Sequence, residues 1–135
     1  MDFKAALPIL GFESCKEVTL ESIDGNFFRL FDKGGKSAPS FILVRPSLLR
    51  NDYIFDLPES AVKSLEARTP EQIEVLNIMI LDTPLENSHV NFLAPLLFNR
   101  EKGLMGQIVL DNHKYPGFEI AAPLKSYMGK EESLS

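Results

Sequence analysis

The sequence has 135 residues, 44% of them hydrophobic and 24% charged, and its 14 basic and 19 acidic residues give a net charge of −5. This length and composition are typical of one globular domain and exclude wholesale disorder. We expect neither a membrane span nor a signal peptide, because no apolar run approaches roughly 20 residues and no basic start precedes an apolar stretch.

The first strong pattern predicts a β-hairpin. Residues 17–21 alternate polar and apolar side chains, which indicates a strand with one wet face. The pair Asp24-Gly25 then predicts a type I′ turn, because glycine tolerates the positive φ that this turn requires. Residues 27–31 follow as the second strand.

The next segment continues the pattern of strands and loops. Residues 32–39 are polar and contain glycine, which predicts a mobile loop. Residues 41–44 are expected to form a buried strand that ends at Arg45-Pro46. A further short strand is expected over residues 53–56.

Two short helices are predicted in the middle of the chain. Apolar residues between Leu57 and Leu65 recur at helical spacing, and Asp56 with Glu59 form a possible capping pair. Residues 69–72 (TPEQ) combine a capping residue, a proline at the first helical position and glutamine at the third.

The second half returns to strands. The apolar run 75–81 predicts a central strand, and residues 104–110 predict another. Residues 90–98 are apolar at both odd and even positions. They nevertheless contain Pro95, which has no backbone N–H to donate to a neighbouring strand. This segment should therefore be an edge strand or bend at the proline. Turn signals every eight to twelve residues are typical of an all-β barrel or sandwich.

No motif indicates catalysis or a cofactor. Gly35-Lys36-Ser37 lacks the glycine that a phosphate-binding loop has five positions earlier. His89, Asp111 and His113 are weak as a metal set, because a site needs three or four convergent ligands. The sequence indicates no base beside Cys15 that could activate it as a nucleophile. One cysteine cannot form an internal disulfide, which favours a reducing cytoplasm.

The charge balance bears on possible partners. A sequence-independent nucleic-acid binder shows a basic patch or stripe, and this acidic chain has no basic run. Direct binding of RNA or DNA is therefore disfavoured. An acidic surface favours encounter with basic proteins instead.

Several short blocks carry a family resemblance and occur in that family's order across roughly residues 7 to 118. They are Pro8–Glu13, Leu49-Arg50 to Phe55-Asp56-Leu57-Pro58, Val75–Ile80, Asn91–Pro95 with Asn99, and Gln107–Asp111 leading to Tyr115-Pro116. Together they resemble the flagellar assembly factor FliW, and Asn-Phe-Leu-Ala-Pro is the most specific block. Asn51 departs from the expected proline, and the loop 32–39 matches nothing in the family.

The resemblance implies a mainly β fold: a small, single-domain β-barrel-like fold of antiparallel strands with one or two short helices. We expect this domain over residues 1–128, followed by a flexible polar C-terminal tail over residues 129–135. Members of the family are non-enzymatic cytoplasmic proteins, so no cofactor is expected, nor a membrane or nucleic-acid partner. We expect a monomer.

The same resemblance implies two protein partners, flagellin and the translational regulator CsrA. Flagellin and CsrA compete for the factor in the family's scheme. Once flagellin is exported, the freed factor captures CsrA and antagonises it allosterically, which relieves repression of flagellin synthesis. The alternative is a dedicated flagellin chaperone with little regulatory role.

The candidate partner-binding residues lie in the most distinctive block. They are Asn91, Phe92, Leu93, Ala94, Pro95 and Asn99. One interpretation is a strand edge that offers main-chain groups and apolar side chains to a partner. The other is a kinked core strand that stands out because the fold needs its bend.

Overall fold

The computed structural model describes residues 1–35 and 39–127. Within these ranges it contains nine strands, the helix α1, three 3-10 helices and a helical turn over residues 125–127. The strands are β1 (Asp2–Ala5), β2 (Glu17–Ser22), β3 (Phe27–Asp32), β4 (Ser40–Val44), β5 (Glu74–Ile80), β6 (His89–Val90), β7 (Leu96–Asn99), β8 (Leu104–Gln107) and β9 (Ala122–Pro123). Helix α1 is Glu59–Ser64, and the 3-10 helices are Pro46–Leu48, Pro70–Gln72 and Leu85–Asn87. The predicted tail 129–135 and residues 36–38 of the predicted loop lie outside the described residues.

Seven strands close into a barrel in the order β4-β3-β2-β1-β8-β7-β5, and β5 pairs back with β4 to complete the ring. The predicted fold class, a mainly β barrel with short helices, is confirmed. One pair, β1 with β8, is parallel, whereas the prediction named antiparallel strands alone. The reason is topological: an up-down alternation closes only with an even number of strands, so a ring of seven must contain a parallel pair.

Strand β7 is buried on both faces, which explains the apolar run around it. Leu96 and Phe98 point into the barrel interior, where they pack with Phe3 and Leu43. Leu97, on the opposite parity, packs outside the barrel beneath α1. A second outer cluster contains Val90 and Phe92 among others. Continuous hydrophobicity here reflects two packed faces and not an exposed edge.

The predicted break at Pro95 is confirmed, because the segment divides into β6 and β7. Both strands pair antiparallel with β5, β7 along its first half and β6 along its last residues. The intervening residues 91–95 leave the sheet as a loop. Of the two alternatives at this proline, the bend is the one that the chain adopts.

The hairpin between β2 and β3 forms, but its predicted type I′ turn is wrong. Gly25 does not have a positive φ, and the connection runs over four residues, 23–26. The Asp24 carboxylate accepts hydrogen bonds from the backbone N–H groups of Asn26 and Phe27, at 2.8 and 2.9 Å. The turn is therefore held by an aspartate side chain.

Two local predictions are also corrected. Residues 53–56 form no strand, because Tyr53 and Phe55 turn inward against the second outer cluster and leave the ladder of the barrel. The predicted capping pair at α1 is absent: Pro58 occupies the N-cap position, and no side chain caps the helix. None of the helices in the described ranges is long and apolar enough to span a membrane.

The parallel pair depends on a glycine in β8. A Cβ placed on Gly106 would lie 2.4 Å from the Cβ of Leu7 and 3.0 Å from its backbone nitrogen. The segment after β1 approaches this closely because the backbone N–H of Ala6 donates to the carbonyl of Met105, at 2.8 Å. Any larger residue at position 106 would push the two strands apart.

Candidate functional site

The loop 91–95 lies where the edge of β5 is divided between two strands. Leu76 of β5 is opposite Leu96 of β7, and Met79 is opposite Val90 of β6. Asn77 lies between these two pairings and is completely buried. The loop covers this gap in the ladder, so its backbone groups need other partners.

Five of the six predicted partner-binding residues lie together in the loop 91–95, whereas Asn99 ends β7 and its Nδ2 donates to the carbonyl of Leu65, at 2.8 Å. Most of the six face inward. Phe92 is 0% exposed and Asn99 1% exposed, and Ala94 and Pro95 are also buried. Asn91 and Leu93 are half-buried and are the two of the set that reach the surface. That the block contacts a partner stays a prediction, and Leu93 offers the apolar side chain best placed for it.

Buried side chains of Tyr53 and Asn77 satisfy the loop's carbonyl groups. The Asn77 Nδ2 donates to the carbonyl of Asn91 at 2.9 Å and to the hydroxyl of Tyr53 at 3.0 Å. The Tyr53 hydroxyl in turn donates to the carbonyl of Phe92. Burial raises the pKa of Tyr53, so its phenol stays protonated and remains a donor.

Gln107 joins three of the sequence blocks that carry the resemblance. Its Oε1 accepts the backbone N–H of Leu10 at 2.8 Å, and its Nε2 donates to the carbonyl of Ala94 at 3.0 Å. Sequence reasoning did not single out Gln107 or Asn77. The available signal was a polar amide inside an otherwise apolar segment, since such a residue must find buried partners.

Arg50 lies on the outer side of the same cluster, among aromatic rings. Its guanidinium carbon is 5.0 Å from the ring centre of Phe118 and 5.1 Å from that of Phe92. The guanidinium donates two N–H groups to the carboxylate of Asp52, and this hydrogen bonding to Asp52 raises the pKa of Arg50. An Nη1 hydrogen bond to the hydroxyl of Tyr127, at 3.1 Å, fixes the last described turn of the chain.

Beside Arg50 the surface opens into an apolar groove with a cavity volume of about 170 Å³. It is lined by Phe27, Leu48, Leu49, Met79, Leu85, Leu124 and Tyr127. Met79 and Leu124 form a buried floor, whereas Leu48 and Leu85 are 41% and 53% exposed on the walls. A more polar pocket at Arg50, with a cavity volume of about 290 Å³, shares Leu49 and Tyr127 with it, so the two form one continuous surface.

The groove is assembled from segments far apart in the sequence, and for that reason sequence reasoning missed it. Leu48 ends one 3-10 helix, Leu85 begins another, and Leu124 follows β9. No periodic pattern connects such residues. Their common feature, large apolar side chains around one groove, becomes visible only in the folded chain.

Neither a metal-binding cluster nor an activated cysteine is found among the described residues. Within residues 1–35 and 39–127, no three His, Cys, Asp or Glu side chains converge on a point that could hold a metal ion. The Cys15 thiol is buried 3.5 Å from the Asp32 carboxylate, and burial raises its pKa. A thiol held in that form is a poor nucleophile.

Comparison with known proteins identifies the family. The family model described as FliW protein matches residues 2–119. The flagellar assembly factor FliW 2 of Wolinella succinogenes is 43% identical over 133 residues, which cover 98% of this chain and 96% of that protein. The flagellar assembly factor FliW of Sulfurimonas denitrificans is 39% identical, with 96% and 100% covered.

A solved structure agrees in fold. The crystal structure of the flagellar assembly factor FliW superposes with a TM-score of 0.81, covering 91% of this chain and 84% of that one, at 22% identity. At that identity the likeness speaks for the barrel alone. The sequence matches extend along nearly the whole chain, and the chain therefore belongs to the FliW family of flagellar assembly factors.

Proposed function

We propose that the protein binds flagellin and, when free of it, binds CsrA and antagonises it allosterically, so that repression of flagellin synthesis is relieved. The observation that carries this proposal is family membership along nearly the whole chain, with relatives at about 40% identity named flagellar assembly factors. The protein acts in the cytoplasm as a monomer, by binding and not by catalysis. It needs no cofactor, membrane or nucleic acid.

The charge of the chain supports CsrA as a partner. A protein that holds RNA must carry positive charge, and this chain has a net charge of −5. Opposite net charges speed association through long-range attraction, which salt screens. The association rate with CsrA should therefore fall as ionic strength rises. A rate independent of salt would rule out electrostatic attraction as the cause of fast association.

The decisive test is calorimetric titration of the purified protein with CsrA from the same organism, repeated with flagellin already bound. Binding that disappears in the presence of flagellin supports mutually exclusive complexes. Binding that persists means separate sites, and the partner switch then fails. If CsrA does not bind at all, regulation through CsrA is excluded.

The apolar groove favours a second candidate, a dedicated flagellin chaperone, because partly exposed apolar side chains are what a protein needs to shield another's apolar surface. The two functions differ in cells that lack CsrA. Chaperone action predicts that flagellin still aggregates or is degraded without this protein. Regulation predicts that removal of CsrA restores flagellin levels.

The predicted contact of residues 91–95 with a partner can be tested separately. Leu93 is half-buried and Phe92 fully buried, so Leu93→Glu is the sharper variant. Loss of CsrA binding at an unchanged melting temperature would support a surface role for the block. A lowered melting temperature with binding retained in the remaining folded protein would assign it to the core.

A further inference from the structure

We propose that Arg50 is a latch for residues 117–127, a strap that lies over the second outer cluster, and that this strap opens as one unit while the barrel stays closed. The strap contains β9 and the helical turn over residues 125–127. Latch and strap act in the free protein, whichever partner binds, and therefore lie beyond the proposed function.

Apolar side chains hold the strap against the rest of the protein. Phe118, Ala122 and Leu124 are each at most 8% exposed, and they pack in the second outer cluster with Val90 and Phe92. Burial of these side chains favours the closed strap through the hydrophobic effect. Opening the strap brings them, and the part of the cluster beneath them, into water.

The backbone attachment of the strap is slight. Strand β9 is the last in the order of the sheet, and its ladder with β6 is two residue pairs long, whereas β2 and β3 pair along five. Beyond this ladder, the N–H of Leu124 donates to the carbonyl of Ser88 at 2.8 Å, and the N–H of Phe92 donates to the carbonyl of Glu119 at 2.9 Å. Segments attached by few backbone hydrogen bonds are the ones that open locally.

Arg50 contacts both ends of the strap through one guanidinium group. Its Nη1 donates to the carbonyl of Gly117 at 3.3 Å and to the hydroxyl of Tyr127 at 3.1 Å. The guanidinium carbon also lies 5.0 Å from the ring centre of Phe118 and 5.7 Å from that of Tyr127, within the range of cation–π attraction. Gly117 and Tyr127 are the first and last residues of the strap, so a single side chain joins its two ends.

Arg50 is itself fixed to the rest of the protein. Its backbone N–H donates to the carbonyl of Pro46 at 3.0 Å, and its Nε and Nη2 donate to the carboxylate of Asp52. The side chain is 13% exposed, and Asp52 compensates its charge. Because Asp52 and the strap use different N–H groups, the planar fork of arginine serves both, which the single ammonium group of lysine cannot do.

The strap forms one side of the apolar groove. Leu124 and Tyr127 line the groove, and Tyr127 also lines the more polar pocket beside it. Opening of the strap therefore removes that side of the groove, although β9 is not a strand of the closed ring. Arg50 is thus a positioning residue for a surface whose apolar lining does not include it.

Native-state amide hydrogen exchange on the purified protein tests the strap. The amides of Phe92 and Leu124 each donate across the boundary between the strap and the rest of the protein. In the wild-type protein we expect them to share one opening free energy, lower than that of the amides of β2 and β3. Its dependence on denaturant should be weaker, because opening the strap exposes less surface than unfolding the barrel.

Arg50→Lys tests the latch. It keeps a positive charge beside Asp52 but loses the fork, so exchange at the amides of Phe92 and Leu124 should become about tenfold faster or more, by one common factor. Arg29→Lys is the matched control. Arg29 also lies over an aromatic ring, with its guanidinium carbon 4.5 Å from the ring centre of Phe31, but it belongs to β3 and should leave both amides unchanged.

Tyr127→Phe provides a second variant in case Arg50→Lys does not fold. It removes the hydroxyl that accepts from Arg50 and keeps the ring, so a smaller common increase is expected at the same two amides. Added to Arg50→Lys, it should have little further effect, because the first change has already broken the contact.

Four results would overturn the latch or the strap. The two amides could exchange as slowly as those of β2 and β3, with the same dependence on denaturant, which would mean that the strap opens only when the whole protein unfolds. Arg50→Lys could leave both amides unchanged, or it could accelerate one of them alone. Arg29→Lys could accelerate both as much as Arg50→Lys does, and the effect would then not belong to Arg50.

Discussion

The loop 91–95 and the apolar groove adjoin the same outer cluster of the core, yet they are built in opposite ways. The loop comes from one continuous block, and its side chains are mostly buried and bonded to Asn77, Tyr53 and Gln107. The groove comes from scattered segments and leaves Leu48 and Leu85 half in water. The most distinctive stretch of sequence is thus mostly buried, whereas the partly exposed groove has no distinctive sequence.

The strongest test of this contrast is Phe92→Ala. Phe92 is fully buried and contacts the rings of Tyr53 and Tyr127, so truncation should leave a cavity. We expect the free energy of unfolding to fall by about 3–5 kcal/mol, measured by chemical denaturation. Ile120→Ala, at a side chain that is 64% exposed, is the control and should change stability little. A loss as small as that of the control would contradict a core role for the loop.

Gln107→Leu tests the polar contacts that fix the loop. The substitution removes the donor to the buried carbonyl of Ala94 and the acceptor for the N–H of Leu10. The expected cost is roughly 1–3 kcal/mol of unfolding free energy, because a buried polar group loses its partner. Amide hydrogen exchange should show faster opening of residues 91–95. Unchanged exchange together with unchanged stability would mean that Gln107 does not hold the loop.

Glu66 lies outside the loop and the groove, so Glu66→Gly should change the stability of the protein without changing its affinity for a partner. Glu66 has a φ of 54°, in the left-handed region that costs a residue with a Cβ about 1 kcal/mol. Glycine should therefore raise the free energy of unfolding by up to about 1 kcal/mol, seen as a higher denaturation midpoint. Partner affinity should not change. A change in affinity at this site would show that stability alone alters binding.

The smallest effect on stability is expected from Leu85→Ser. Leu85 is 53% exposed at one end of a 3-10 helix, and the change should alter unfolding free energy by no more than about 0.5 kcal/mol. Under the chaperone candidate, binding of flagellin should nevertheless weaken, as calorimetry would show. A large loss of stability would place Leu85 in the core and remove the distinction between loop and groove.

Local pattern was sufficient for much of the fold and insufficient where distant segments meet. The strand over 17–21 follows from alternation, the strand over 27–31 from the hairpin signal before it, and the strand over 41–44 from its apolar run. The break at Pro95 follows from the missing N–H of proline. The parallel pairing of β1 with β8 joins residues about a hundred positions apart, and no local signal carries it. At Asp24-Gly25 the pattern gave the wrong turn because the aspartate side chain, and not the glycine backbone, satisfies the bend.

The candidate site was less predictable than the fold. The block 91–99 was recognisable, but the inward orientation of Phe92 and Asn99 depends on how β5 divides its edge between two strands. The groove requires Leu48, Leu85 and Leu124 to meet, and only the closed barrel brings them together. Asn77 could have been found from the sequence, because it is an amide within an apolar run. Such a residue is expected to be buried and to need hydrogen-bond partners.

The closed ring also orders events during synthesis. Strands β1 to β4 form a consecutive meander, so they can pair soon after they leave the ribosome. The first of them nevertheless has a free edge until Leu104 and Met105 of β8 have been translated. Through most of its synthesis the nascent chain therefore exposes a strand edge that invites pairing with other chains, and a pause before β8 would prolong that risk.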